Sequence, residues 1–245
     1  MVEHYLTAAS SYATDIDNLI WLVTIIVMPW FFLVQGILFY FLFKFKKKDG
    51  QKAQYITGEE AHQMRWVSVP HILVLLCDIV LIFGAIRVWV DIKQDMPTPD
   101  ATVRIIAQQW AWTFVHPGPD NKIDTDDDIW TVDELHLENG QTYQYKLESR
   151  DVMHSFSVPV FRLKQDALPG RVISGWFKPI KEGNWSIQCA EMCGIGHGLM
   201  PARVIIESAA AHAAWISAHG PGKLAAATPA ASAPAPQTAP APQAP

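Results

Sequence analysis

Residues 189–200 read "CAEMCGIGHGLM". Two cysteines lie four residues apart, with a histidine four residues later and a methionine three after that. Gly194, Gly196 and Gly198 are threaded between them. Each glycine costs a helix about 1 kcal/mol relative to alanine, so the segment reads as an irregular loop. Such a loop can curl until Cys189, Cys193, His197 and Met200 point at one spot. A disulfide with incidental neighbours is the plain alternative. The donor set argues instead for a metal. Two thiolates and an imidazole suit zinc, iron–sulfur or copper, and an added thioether shifts the choice toward copper. A tetrahedral zinc site would normally want Cys or His in that fourth place.

A further ligand has to come from elsewhere in the fold. His154 in "DVMHSF" sits at the end of an expected strand, 35 residues before Cys189. His116, after a strand and before Pro117, is a weaker candidate, and His136 alternates with apolar neighbours as an ordinary strand residue would.

The sequence around the loop has the period of short strands. "TVRIIAQQWAWTFVH" (102–116) and "IWTVDELHLENGQTYQYKLES" (129–149) are β-branched, aromatic and partly alternating, and Asn139-Gly140 is a hairpin-type turn. "VMHSFSVPVF", "RVISGWFKPI", "GNWSIQCAEM" and "PARVIIES" continue the pattern. Strands at this spacing without helices between them predict an antiparallel sandwich or barrel over residues 95–219. "AAAHAAWISAH" (209–219) closes it as a short helix. The acidic run "DNKIDTDDDI" (120–129) lacks the Gly and terminal Glu of a calcium loop and reads as a solvated turn.

Ahead of this section lie two apolar runs. Leu19–Phe43 holds no charged residue, and Val67–Val90 holds only Asp78 and Arg87. A hydrocarbon core of about 30 Å takes roughly 20 helical residues to cross. Two membrane helices are therefore expected, at about 19–45 and 67–92, after an outer segment 1–18. The first has Asp15 and Asp17 ahead of it rather than a basic region, which sets it apart from a secretory signal. The loop 44–65 carries Lys44, Lys46, Lys47, Lys48, Lys52 and Arg65, an excess that assigns it to the cytoplasm. Both termini then lie on the outer, periplasmic side. Cys77 falls inside the second helix as a small apolar residue. Asp78 is costly in a bilayer unless paired, so it is expected to face another subunit. From Gly220 to Pro245 the chain is rich in Pro and Ala, which predicts an extended tail.

"DVMHSFSVPVFRLKQDALPGR" followed by "CAEMCGIGHGLMPARVIIE" resembles subunit II of the haem-copper cytochrome c oxidases, and "QQWAW" and the paired membrane helices are similar to that family too. The likeness covers roughly residues 15–218. It implies a two-helix membrane anchor followed by a cupredoxin-like Greek-key barrel with a mixed-valence dinuclear copper centre, CuA. By that resemblance Cys189 and Cys193 bridge two copper ions, and His154 and His197 each bind one. Met200 and the backbone carbonyl of Glu191 are the weak axial ligands. The Glu191 side chain goes to a magnesium ion shared with catalytic subunit I. Trp110 matches the tryptophan at which electrons enter. A glutamate that relatives carry three residues before the tryptophan opening the second helix is Gln63 here, with Glu60 and His62 nearby.

The implied function is that of a terminal oxidase subunit in a bacterial inner membrane. It takes electrons from cytochrome c and passes them to the haem of subunit I, which reduces oxygen to water with proton translocation. Residues 95–207 hold sixteen acidic and ten basic side chains, which suits a basic donor and gives no footprint for nucleic acid. Asp151, Asp133 and Glu134 are candidate docking carboxylates. Nothing in the chain could itself perform oxygen chemistry, because the membrane helices hold no histidine set for haem. Three rivals remain: the same copper module in a nitric oxide reductase complex, a copper chaperone or store, and a quinol-oxidase subunit without copper.

Overall fold

The computed structural model describes residues 6–52 and 55–220. Most of the Pro/Ala-rich tail lies outside the described residues. Two long helices lead the chain, α1 (Ala13–Lys44) and α2 (Ala61–Trp89), and α2 runs on into a wide helical turn, Val90–Gln94. Both are long and apolar enough to cross a membrane. They touch each other where Leu19 and Leu22 pack on Gly84 and where Trp30 Nε1 meets Cys77 Sγ at 3.4 Å. Asp78 lies exposed on the chain by itself.

Helix α1 starts six residues before the apolar run that identifies it in the sequence. The reason is tertiary. Its first turns and the strand-like segment before it are part of the globular section, where Ala9, Tyr12 and Ala13 are buried. Ala9 donates its N–H to Val160 O at 2.8 Å, and its carbonyl accepts from Ile180 N at 2.9 Å. A buried ion pair locks this strap. Arg162 Nε and Nη2 donate to the two oxygens of Asp17 at 2.7 and 2.8 Å. The same guanidinium also donates to the carbonyls of Leu6, Thr7 and Pro159. On the other side Trp176 Nε1 donates to Ile92 O at 2.9 Å, tying the end of α2 to the sheet.

The globular section has ten strands: β1 (Ala101–Gln108), β2 (Ala111–His116), β3 (Ile129–Val132), β4 (Glu134–Glu138), β5 (Tyr143–Ser149), β6 (His154–Val158), β7 (Leu163–Ala167), β8 (Ile173–Phe177), β9 (Gly183–Cys189) and β10 (Ala202–Glu207). They form two five-stranded sheets, in the orders β3-β2-β1-β5-β8 and β4-β10-β9-β6-β7. Alternate residues fill the space between them; along β5, Tyr143, Tyr145 and Leu147 point in while Gln144, Lys146 and Glu148 are half-exposed. Burying one face of each strand in this way is what holds the layers together.

The sheets are mixed rather than antiparallel throughout, since β1 pairs parallel with β5 and β10 parallel with β4. The Asn139-Gly140 turn does not make a hairpin. Gly140 takes φ +88°, which glycine tolerates, but the strands it joins belong to different sheets. The turn residues bond elsewhere, Asn139 N to Glu207 O at 2.8 Å and Gly140 N to Pro179 O at 2.9 Å. Turn chemistry sets a local bend; the partner of each strand is chosen by the packing. Helix α3 (Ala209–His219) closes the domain, capped by the Ser208 hydroxyl and anchored by Trp215, which stacks on His136 at 4.2 Å between ring centroids. In the 120–129 loop Arg104 pairs with Asp124, and Thr125 donates to Asp127 at 2.6 Å.

Candidate metal centre

The second sheet builds the site. Strands β6 and β9 are antiparallel neighbours with Phe156 opposite Cys189, so His154 at the start of β6 lies beside the end of β9. Ala190 N donates to Ser155 O at 2.9 Å and extends the pairing one step into the loop. From there the chain doubles back. Gly194 takes φ +121°, a short 3₁₀ turn spans His197–Leu199, and Met200 lies just before β10.

This path gathers the donors. Cys189 Sγ and Cys193 Sγ are 3.8 Å apart. Cys189 Sγ lies 4.0 Å from His154 Nδ1 and 3.3 Å from the Glu191 carbonyl oxygen. Cys193 Sγ lies 3.6 Å from His197 Nδ1 and 3.3 Å from Met200 Sδ. His154, Cys189 and Cys193 offer ligand atoms all within 4.8 Å of one another. His154, Cys193 and Met200 are buried, while Cys189 and His197 keep some exposure.

Sulfurs at 3.8 Å are not a disulfide, whose bond is about 2.05 Å. Two sulfurs each about 2.3 Å from a shared metal at a tetrahedral angle sit at about this separation. Burial and the neighbouring Cys189 push the Cys193 thiol up to about 11. A bound cation reverses that preference, because it stabilises the thiolate that burial disfavours. The cluster of two thiols, two imidazole nitrogens, a thioether and a carbonyl is rich in soft donors and fits copper.

Around the donors runs a ring of hydrogen bonds. His154 Nε2 donates to Asp151 Oδ1 at 2.8 Å, which leaves Nδ1 turned toward Cys189. Partial burial alone would raise the Asp151 carboxyl, but hydrogen bonds from His154, Gln109 N and Val152 N outweigh it and hold it below its ordinary value. Trp112 Nε1 donates to Met200 O at 3.2 Å, and its ring meets His154 edge-on. Gln109 Nε2 donates to Cys193 O at 2.8 Å. A histidine that binds a metal takes its ring orientation from partners such as these.

Trp110 and Trp112 do not share a face, although strand alternation predicts it. Strands β1 and β2 end at Gln108 and begin at Ala111, so Trp110 belongs to the two-residue turn between them. Trp112 is fully buried, whereas Trp110 is 38 % exposed and lies across Gly196. His116 stands apart from the sulfur cluster. Its Nδ1 donates to Ile129 O at 3.3 Å, its Nε2 accepts from His136 N at 3.0 Å, and its ring packs on Trp215. Asp133, a docking candidate by sequence, is half-buried and accepts from Trp112 N at 2.9 Å within a tight turn. Glu134 stays exposed near His136. Sequence reasoning missed Gln109 altogether, and it assigned Asp151 to docking rather than to His154. The Asp-x-x-His spacing on one turn was the available signal; Gln109 left none, because its partner is a backbone carbonyl 84 residues away.

A family model described as the periplasmic domain of cytochrome c oxidase subunit II matches residues 101–209. The chain is 33 % identical over 201 residues to an alternative cytochrome c oxidase subunit 2 of Bradyrhizobium diazoefficiens, covering 72 % of this chain and 70 % of the relative. It is 28 % identical over 240 residues to a cytochrome c oxidase subunit 2 of Cereibacter sphaeroides, covering 85 % of this chain and 77 % of that one. Among solved structures, the periplasmic domain of subunit II of cytochrome oxidase from Bradyrhizobium japonicum aligns with a TM-score of 0.46 at 25 % identity, over 51 % of this chain and 96 % of that domain.

Proposed function

The chain belongs to the cytochrome c oxidase subunit II family, and from that premise we propose that it is the electron-accepting subunit of a terminal oxidase. It takes electrons one at a time from cytochrome c and delivers them to the haem of catalytic subunit I, which reduces oxygen to water with proton translocation. The observation that carries this reading is the convergence of His154 on the thiols of Cys189 and Cys193. When bound there, a dinuclear copper centre supplies a one-electron carrier whose charge is spread over two metals, so little has to move on reduction.

The chain's own residues do the rest. Cys189 and Cys193, as thiolates, would hold the copper together with His154 and His197, and Met200 and the Glu191 carbonyl would complete the donor set. Burial of Cys193 and Met200 excludes water from the inner side. The sheet fixes Cys189 against His154, and Asp151 keeps the imidazole proton on Nε2. Trp110, exposed at the surface and packed on the glycine loop, is the residue through which electrons enter. Acidic side chains on the outer domain speed association with a basic donor and make it salt-sensitive. The Glu191 carboxylate makes no hydrogen bond or ion pair among the described residues, and a hard oxygen donor of this kind suits a magnesium ion at the boundary with subunit I.

In the membrane, Asp78 and His71 lie seven residues apart on one face of α2. Cys77 and Gly84, which meet α1, lie on another. Subunit I covers the Asp78 face, since a carboxylate left against lipid is costly. The loop 44–65 lies in the cytoplasm, and the outer domain and both termini are periplasmic.

Metal analysis and EPR on the purified complex, alongside oxygen uptake with reduced cytochrome c, test the reading. The expected result is two coppers in this chain, a delocalised hyperfine pattern that Cys193→Ser abolishes, and oxygen consumption. A complex without copper, or one that turns over nitric oxide and consumes no oxygen, overturns it.

A further inference from the structure

Two turns far apart in the chain must stay in register if the copper reading holds: the turn that carries His154 and the loop from Cys189 to Met200. Gln109, in the turn between β1 and β2, touches both. Its side-chain Nε2 donates to the Cys193 carbonyl at 2.8 Å. Its backbone N–H donates to Asp151 Oδ2 at 2.6 Å. The other oxygen of Asp151 accepts from His154 Nε2 at 2.8 Å. One residue thus reaches a thiol ligand through a carbonyl and an imidazole ligand through a carboxylate.

We propose that Gln109 is a positioning residue, a staple that sets the distance between the two ligand-bearing turns; this rests on the dinuclear copper reading. The side chain has to be a donor, because a carbonyl oxygen only accepts. A leucine of similar size offers no N–H, and a glutamate turns one acceptor against another. The loop is shaped to receive the carboxamide. A β-carbon on Gly194 would come within 2.9 Å of Gln109 Nε2, so glycine there leaves the amide its place, besides taking φ +121°. The next residue, Trp110, lies on Gly196 of the same loop. The staple therefore also fixes the exposed tryptophan relative to the ligands.

Gln109 is exposed and the bond is only partly buried. Water replaces a hydrogen bond of that kind at little cost to folding, whereas loss of an outer partner typically weakens metal binding about 10–100-fold. That asymmetry separates a positioning role from a purely structural one. The test uses the full chain in detergent, with Gln109→Leu and Gln109→Glu, both of which keep the backbone N–H to Asp151. Copper affinity by competition with a chelator, the EPR hyperfine pattern and the unfolding midpoint of the metal-free chain are measured together. The expected result is a roughly tenfold or greater loss of copper affinity and an altered hyperfine pattern, with little change in the metal-free midpoint. Variants that bind copper and give EPR spectra like the parent overturn the staple. So does a metal-free chain destabilised as strongly as its copper binding. If Gln109→Leu does not fold, Gln109→Glu decides by the same criteria. A parent chain with no dinuclear signature would defeat the functional reading itself, which is a separate outcome.

Discussion

The indole of Trp110 rests on the backbone of Gly196, so closely that a β-carbon at position 196 would fall inside the van der Waals surface of the ring. The tryptophan that meets solvent is thereby seated on the loop that carries Cys193, His197 and Met200. Glycine at 196 is a packing requirement, not a conformational one, since its φ of −90° suits any residue.

Gly196→Ala should therefore push Trp110 off the loop at a cost of about 1–3 kcal/mol, the usual range for overpacking. Copper content should stay at the parent level while electron uptake from reduced cytochrome c slows. Stopped-flow reduction of the copper-loaded complex measures this, and an unchanged rate would show that Trp110 does not carry the electron.

Asp151→Ala removes the acceptor that orients His154 and should weaken copper binding about 10–100-fold. Asp151→Asn keeps an acceptor oxygen and should lose much less. Chelator competition on the two variants checks the order; equal losses would point to charge rather than orientation.

Arg162 and Asp17 are both almost fully buried, so removing either leaves an unpaired charge. Arg162→Met should cost about 3–5 kcal/mol, and the double variant with Asp17→Leu should recover much of it. Chemical unfolding of the detergent-solubilised chain gives both numbers. Recovery is the informative part, because a structural arginine that acted only through its carbonyl contacts would show none.

His116 responds to acid. Burial, with His136 close by, lowers its folded pKa from 6.5 to about 3. Between those values the unfolded chain binds a proton that the folded chain refuses, so stability is present above about pH 6.5 and is lost as pH falls. One such group contributes a slope of about 1.4 kcal/mol per pH unit in that window. His116→Gln should flatten the acid limb of a stability–pH curve by about that slope, with the neutral limb little changed in shape. Parallel curves for parent and variant would refute it.

The loop "CAEMCGIGHGLM" shows in one line why donor residues can be read from sequence. Ligand types are local facts, and Cys189, Cys193, His197 and Met200 come from a single bend. His154 was also legible, as the histidine at a strand end preceding the loop. The two candidate membrane helices were visible as long apolar runs, the second broken only by Asp78 and Arg87, because a bilayer asks for length and apolarity rather than for particular neighbours. Helix α3 was legible at both ends, where Ser208 caps it and Gly220 follows.

Other features needed the tertiary structure. Gln109 and Cys193 are 84 residues apart, and Asp17 and Arg162 are 145 apart. Neither pair has a period or a motif to announce it, since each depends on where separate strands come to rest. The same is true of the parallel pairing of β1 with β5, which no turn residue encodes. Residue chemistry therefore determined which donor groups this protein carries, while the packing of two sheets decided which groups hold those residues still. A donor's identity travels with its side chain, but its orientation is set by neighbours that only the folded chain supplies.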